Sequence, residues 1–261
     1  MKTQALFFDI DGTLVSFRTH RIPQSTVDAL TRAKERGVRV FISTGRPTNF
    51  INNLGQIEHL VDGFITTNGA YCYIGSTTIA LHAIAPSNVK SIISACDQWD
   101  CPAIIVGRSH VAVYRHQPIV DQVFGHELGL GHFRFDSLEE ALGDACLQIT
   151  PFITHEQEAR LMPSLANCNS GRWCAAFTDI TDADADKGKG IEAIAKHEGF
   201  DIGETMAFGD GGNDNAMLRR AGTGVAMGNA NPETKATADY VTASVDDDGV
   251  SKALRHFGII D

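Results

Sequence analysis

The stretch Ala5-Leu6-Phe7-Phe8-Asp9-Ile10-Asp11-Gly12-Thr13-Leu14-Val15 decides how this chain is read. Ala5 to Phe8 run without a polar interruption, the pattern of a strand buried on both faces. They lead straight into two carboxylates. Like charges that close raise each other's pKa and oppose folding unless something neutralises them. Two acids at the tip of a core strand therefore imply a site.

Working outward, residues 1–82 alternate strand and helix. Gln24 to Arg36 carries Val27, Leu30 and Ala33 at helical spacing and stops at Gly37. Val38 to Ile42 reads as a second strand, ending at Ser43-Thr44-Gly45-Arg46-Pro47 with a helix expected beyond. Phe64-Ile65-Thr66 is a third strand before Asn68-Gly69. Tyr71–Ile74 and Thr78–Leu81 flank Gly75-Ser76 as a hairpin.

The rhythm returns late in the chain. Lys187 to Glu198 reads as a helix, Thr205 to Phe208 as a strand, and Gly209-Asp210-Gly211-Gly212-Asn213-Asp214 as a loop. A helix through Met217 and Leu218, a strand at Gly224–Met227, a short helix near Pro232 and a strand at Tyr240-Val241 follow. Such alternation predicts an α/β fold with a parallel sheet covered on both faces.

Between about 84 and 183 the expected pattern is α+β: helices at 87–98, 118–128, 138–142 and 155–163, and strands near 103–106, 111–114, 146–150 and 173–178. The simplest organisation is one domain, 1–83 and 184–261, interrupted by a second domain at 84–183.

A chain of 261 residues is long enough for either one large domain or two smaller ones with real cores. Its net charge of −10 argues against a nucleic-acid or anionic-membrane partner, since both need clustered Lys and Arg. No apolar run approaches the roughly 20 residues that span a bilayer, and the N-terminus lacks the pattern of a cleavable leader. The six cysteines show no CxxC and the ten histidines no HExxH spacing, so reduced cytoplasmic thiols are expected rather than zinc or disulfides.

The polar residues sort by strand. Asp9 and Asp11 follow the first, Thr44 and Arg46 the second, Asn68 the third, and Asp210, Asn213 and Asp214 a fourth. Parallel α/β sheets bind ligands outside the carboxyl ends of their strands, so neighbouring strands would gather these groups at one edge. Asp9, Asp11, Asp210 and Asp214 suit a hard divalent cation with oxygen ligands, Mg²⁺ above all. Thr44, Lys187 and backbone N–H groups near Gly12 and Gly45 can hold phosphate oxygens. One acid can then attack phosphorus while the other protonates the leaving oxygen and activates water.

Phe8-Asp9-Ile10-Asp11-Gly12-Thr13-Leu14, Ser43-Thr44-Gly45-Arg46, Lys187 and Gly209-Asp210-Gly211-Gly212-Asn213-Asp214 resemble, in order, the four motifs of the haloacid dehalogenase-like (HAD) superfamily. The insert resembles the α/β cap of the Cof-type subfamily, type C2. Asn68-Gly69-Ala70 and Ala226-Met227-Gly228-Asn229-Ala230 are similar to further Cof-type segments. The resemblance spans nearly the whole chain and points to sugar-phosphate phosphatases of that group.

It implies Asp9 as nucleophile, Asp11 as general acid/base, and Thr44 and Lys187 as phosphoryl-holding groups. Asp210, with Asp9 and the Asp11 carbonyl, would hold Mg²⁺. Asn213 and Asp214 would support the metal shell or orient Lys187, and Asp214 alternatively caps the helix after it. Gly45, Arg46 and Asn68 would face the substrate. Lys187 and Lys189 share one segment, and the family spacing favours Lys187. The implied activity is Mg²⁺-dependent hydrolysis of small phosphate monoesters through an aspartyl-phosphate. The alternatives are a phosphoryl transferase such as a sugar-phosphate mutase, and a non-catalytic phosphate-binding regulator. A dehalogenase needs neither Asp11 nor the metal. A cytoplasmic monomer or small homo-oligomer is expected, with the inserted domain closing over the edge to select the leaving group.

Overall fold

The computed structural model describes residues 3–127 and 134–261. The chain divides into two compact units, one of residues 1–46, 51–80 and 186–261, the other of 47–50 and 81–185. The first stretch forms β1 (Ala5–Phe8), α1 (Gln24–Glu35), β2 (Arg39–Ser43), β3 (Gly63–Thr66), β4 (Tyr71–Ile74) and β5 (Thr77–Leu81). The helix expected beyond Pro47 is absent. Only 3₁₀ turns form, at Thr48–Phe50 and Glu58–Leu60. Asn52, Asn53 and Gly55 are poor helix formers, and the backbone closes instead through short bonds such as Ile57 N–H to Leu54 O at 2.8 Å.

The middle of the chain forms α2 (Pro86–Trp99), β6 (Ala103–Gly107), β7 (Val111–Tyr114), α3 (Pro118–Val120), α4 (Leu138–Gly143), β8 (Cys146–Pro151), α5 (His155–Leu161), β9 (Cys168–Cys174) and β10 (Phe177–Asp182). Beyond α3 the chain continues in π-helical turns at Asp121–Glu127. Of the helix expected at 118–128, residue 128 lies outside the described residues. The strand expected at 173–178 is corrected: the chain turns at Ala175-Ala176, and Phe177 pairs with Cys174 across a hairpin. An apolar run that crosses a tight turn looks continuous in sequence alone.

This unit holds a five-stranded sheet of order β7-β6-β8-β10-β9, with antiparallel pairing throughout. Ile92, Ile105, Ile149 and Ile180 pack in one cluster, and Phe50, Phe124, Phe152 and Phe177 in another. Ser137 and Thr154 cap α4 and α5 through reciprocal side-chain bonds with Glu140 and Gln157, which satisfies the free N–H groups of each first turn.

The last stretch returns to the first unit with α6 (Lys187–Glu198), β11 (Thr205–Gly209), α7 (Asn215–Arg220), β12 (Thr223–Ala226), α8 (Pro232–Thr237), β13 (Tyr240–Val241) and α9 (Gly249–His256). The large sheet runs β13-β12-β11-β1-β2-β3-β4-β5, parallel from β13 to β3 and antiparallel at β4. Strand β1 lies at its centre. Leu6 and Phe8 join the cluster with Leu30 and Leu254, while Ala5 and Phe7 join the other with Ile191 and Ile194. Phe8 stacks on Phe208 at 4.6 Å and Phe7 on Phe41 at 4.9 Å. Burial on both faces is why the strand reads as an unbroken apolar run. Among the described residues no helix is long and apolar enough to cross a membrane.

Candidate active site

The register of the central strands creates the site. Phe8 lies beside Phe208 on one side and Ile42 on the other, and Ser43 lies beside Ile65. The loops that follow leave the sheet at one level, and they carry Asp9, Asp11, Thr44, Gly45, Arg46, Asn68, Asp210, Asn213 and Asp214. This is the carboxyl edge of the parallel strands, where such sheets bind ligands.

Lys187 is the hub. It opens α6, whose cap Asp186 accepts the Lys189 N–H at 2.9 Å. Lys187 Nζ donates to Asp9 Oδ1 at 2.7 Å and to Asp214 Oδ1 at 2.6 Å, and its side chain is wholly buried. Lys189 is exposed. The helix comes this close because Gly190 has no side chain: a Cβ there would stand 2.7 Å from Ile65.

Asp214 has both oxygens engaged, since Oδ2 accepts the backbone N–H groups of Asp210 and Gly211 at 2.9 Å each. Thr13 Oγ1 donates to Asp210 Oδ1 at 3.1 Å. Asn229 Nδ2 donates to the Gly12 carbonyl at 2.8 Å and to Asp210 Oδ2 at 3.3 Å. Its Oδ1 accepts the Val245 N–H at 2.9 Å.

Burial, then the charge of Asp214, pushes the Asp9 carboxyl up to about 8 against the pull of Lys187. Burial and Asp214 likewise push Asp210 up to about 6. Burial opposes the charge on Lys187, but Asp214 and Asp9 outweigh it and raise its pKa above the usual lysine range. One oxygen from each of Asp9, Asp210 and Asp214 lies within 4.8 Å of the others. Three carboxyl groups against one ammonium form an all-oxygen donor set whose full ionisation calls for added positive charge. That chemistry fits a hard divalent cation.

A second group of residues lies beside the first. Arg46 clamps Asp11 from two nitrogens, Nε to Oδ2 at 2.6 Å and Nη2 to Oδ1 at 2.8 Å. Arg46 N–H donates to Thr44 Oγ1 at 3.1 Å, and Asn68 N–H to Thr44 O at 3.1 Å. Asn213 Nδ2 donates to Asn68 Oδ1 at 3.1 Å. Gly45 permits this approach, for a Cβ there would stand 3.0 Å from the same Asn68 oxygen. Thr67 and Asn68 both hold left-handed backbone, at φ 51° and 53°. For a β-branched residue this conformation costs on the order of 1–3 kcal/mol, and such strain clusters at ligand sites.

The residues singled out in the sequence thus fall into two hydrogen-bonded groups on one edge. Thr13 and Asn229 also bond into the first group. Thr13 stands inside the first acidic motif and Asn229 inside a segment noted only for its resemblance, so position was the available signal.

With this geometry in place, the comparisons with known proteins define the class. A model of the haloacid dehalogenase-like hydrolases matches residues 6–254, and the chain belongs to that family of enzymes. Over its whole length it is 30% identical to YkrA of Bacillus subtilis (strain 168), a provisionally named phosphatase covered over 100% of its own length. Among solved structures it is similar to the HAD subclass IIB sugar phosphatase BT4131, with 49% identity, a TM-score of 0.89, and coverage of 99% of this chain and 100% of that one. BT1666 from Bacteroides thetaiotaomicron, a HAD-superfamily phosphatase, is 35% identical with a TM-score of 0.88, covering 99% and 96%. The architecture is that of subclass IIB, a Rossmannoid α/β core with a cap domain.

Proposed function

We propose that this hydrolase removes phosphate from small phosphate monoesters, sugar phosphates foremost, using Mg²⁺ and an aspartyl-phosphate formed on Asp9. Lys187 carries the reading: a wholly buried ammonium bonded to Asp9 and Asp214, beside Asp210, on the edge where a ligand enters. The similarity to a sugar phosphatase supports the substrate class.

Asp9, Asp210 and the Asp11 carbonyl would hold Mg²⁺, which when bound supplies positive charge to the phosphoryl oxygens and favours the ionised form of Asp9. Asp214, with both oxygens already accepting hydrogen bonds, orients Lys187 and the Asp210 loop. Lys187 has three N–H donors and spends two on carboxylates, which leaves one for a phosphoryl oxygen. Thr44 accepts the Arg46 N–H and keeps its own hydroxyl proton for another.

The Asp9 carboxylate attacks phosphorus and the P–O ester bond breaks, while Asp11, released from Arg46 and protonated when substrate binds, gives its proton to the leaving alkoxide. Asp11 then takes a proton from water, which attacks the same phosphorus and frees Asp9 and inorganic phosphate. Before substrate binds, Arg46 holds Asp11 at the edge; once released it faces the substrate with Gly45, Asn68 and Asn213. The six free thiols support a cytoplasmic location. A panel of phosphate monoesters with Mg²⁺ and with EDTA tests the reading. Phosphate release that depends on Mg²⁺ is expected; release indifferent to EDTA, or none from any ester, refutes it.

A further inference from the structure

We propose that Phe17 is a specificity-determining residue, its ring forming the stacking surface for a cyclic carbon skeleton in the substrate's leaving group. The proposal rests on the phosphatase reading and adds a recognition element to it. Phe17 is 64% exposed, the most exposed large apolar side chain among the described residues. A benzene ring in water is unfavourable, and this one does not hang from a loose loop. Ser16, just before it, is buried; its Oγ accepts the N–H groups of Arg18 and Thr19 at 3.1 Å each and donates to Asp246 Oδ1 at 2.7 Å. Ser16 N–H bonds the Arg21 carbonyl at 3.1 Å, and His20 N–H bonds the Ser16 carbonyl at 2.9 Å. The turn is pinned from several directions, which fixes where the Phe17 side chain leaves the backbone.

The ring lies at the acidic edge. A Cβ placed on Gly12 would stand 2.7 Å from Phe17 Cε2 and 2.3 Å from Asp210 Oδ2. The ring edge and the carboxylate therefore flank the same point of the loop that carries Asp9 and Asp11. Gly12, at φ +84°, has no side chain to separate them. Gly12 directly follows Asp11, the residue proposed to protonate the leaving oxygen, so the carbon attached to that oxygen would pass within reach of the Phe17 ring. The face of an aromatic ring is electron-rich and attracts the electropositive C–H edges of a sugar ring. A short linear skeleton offers too little surface to use it, and inorganic phosphate offers none.

Binding separates this role from the chemistry. In an Asp9→Asn background with Mg²⁺, affinities are measured calorimetrically for cyclic hexose and pentose phosphates, glycerol 3-phosphate and inorganic phosphate. Adding Phe17→Ala is expected to weaken the tightest cyclic sugar phosphate about tenfold, the scale of a stacked aromatic contact. Glycerol 3-phosphate and phosphate should stay within about twofold, and Phe17→Trp should retain the preference. With Asp9 intact, Phe17→Ala should raise KM for the cyclic ester by the same factor and leave kcat nearly unchanged. Equal weakening of all ligands, no weakening of any, or parental affinity for glycerol 3-phosphate equal to that for the cyclic esters would each overturn the proposal. If no ester yields phosphate, the hydrolytic reading fails separately, while the binding series still decides the role of Phe17.

Discussion

Lys187 and Arg160 mark opposite uses of charge in the two units. The Lys187 side chain is 0% exposed and its partners Asp9 and Asp214 are 10% and 1% exposed. Arg160 and its partner Glu156, one turn apart on α5, are 68% and 76% exposed. Among the described residues the second unit also holds a half-buried pair, Arg172 with Glu158, but there the charges balance one to one. Arg172 also donates to the Ile153 and Ala175 carbonyls at 2.8 and 3.1 Å, which ties the ends of its strands together. At the large sheet's edge the carboxylates outnumber the lysine. A half-buried, balanced pair serves packing, an exposed pair is solvated surface, and a buried surplus of one sign marks a candidate site for opposite charge.

The largest way to break that contrast is at Asp9. Asp9→Asn keeps the shape but removes the proposed nucleophile, and steady-state phosphate release should fall by roughly a thousandfold or more. Retained turnover, with deamidation excluded by mass, would remove Asp9 from the chemistry.

The same variant sharpens the electrostatic argument in metal-free protein. A carboxyl raised from 3.8 to about 8 on folding costs nothing below the unfolded value and progressively more as pH climbs to the folded one. Asp9→Asn escapes that cost. Its melting temperature under EDTA should exceed the parent's by a margin that widens between pH 4 and 8 and then levels, with a ceiling near 1.4 kcal/mol per pH unit. A margin independent of pH would contradict the burial penalty at Asp9.

Lys187→Met should destabilise the fold by about 3–5 kcal/mol, because it strands buried carboxylates. Arg160→Ala should cost under about 0.5 kcal/mol, as exposed ion pairs do. Urea titration of both variants compares the units directly, and similar losses would erase the distinction. A shift between these two is expected from Mg²⁺, about 2.7 kcal/mol of stabilisation at a hundred times its Kd. Asp210→Ala should blunt that response in a thermal-shift titration, whereas an undiminished response would place the cation elsewhere.

The sequence by itself carried most of what is local. Ala5–Phe8 announced a doubly buried strand, the turn at Gly75-Ser76 announced its hairpin, and the acids, Thr44 and Arg46 stood at strand exits where loop chemistry is read without knowing the neighbours. It misjudged the stretch after Pro47 and the hairpin at Cys174–Phe177, where short-range pattern and final hydrogen bonding diverge. Only the tertiary structure decided which strands lie side by side, for Phe8 and Phe208 pair across 200 residues of chain with no local trace of the pairing. It also decided that Lys187 rather than Lys189 reaches Asp9, that Arg46 grips Asp11, and that Asn229 braces Gly12 and Asp210. A residue's type and spacing determine what chemistry it can offer. Its pKa, its partners and its burial depend on atoms far away in the chain, and those are set only when the sheet closes around them.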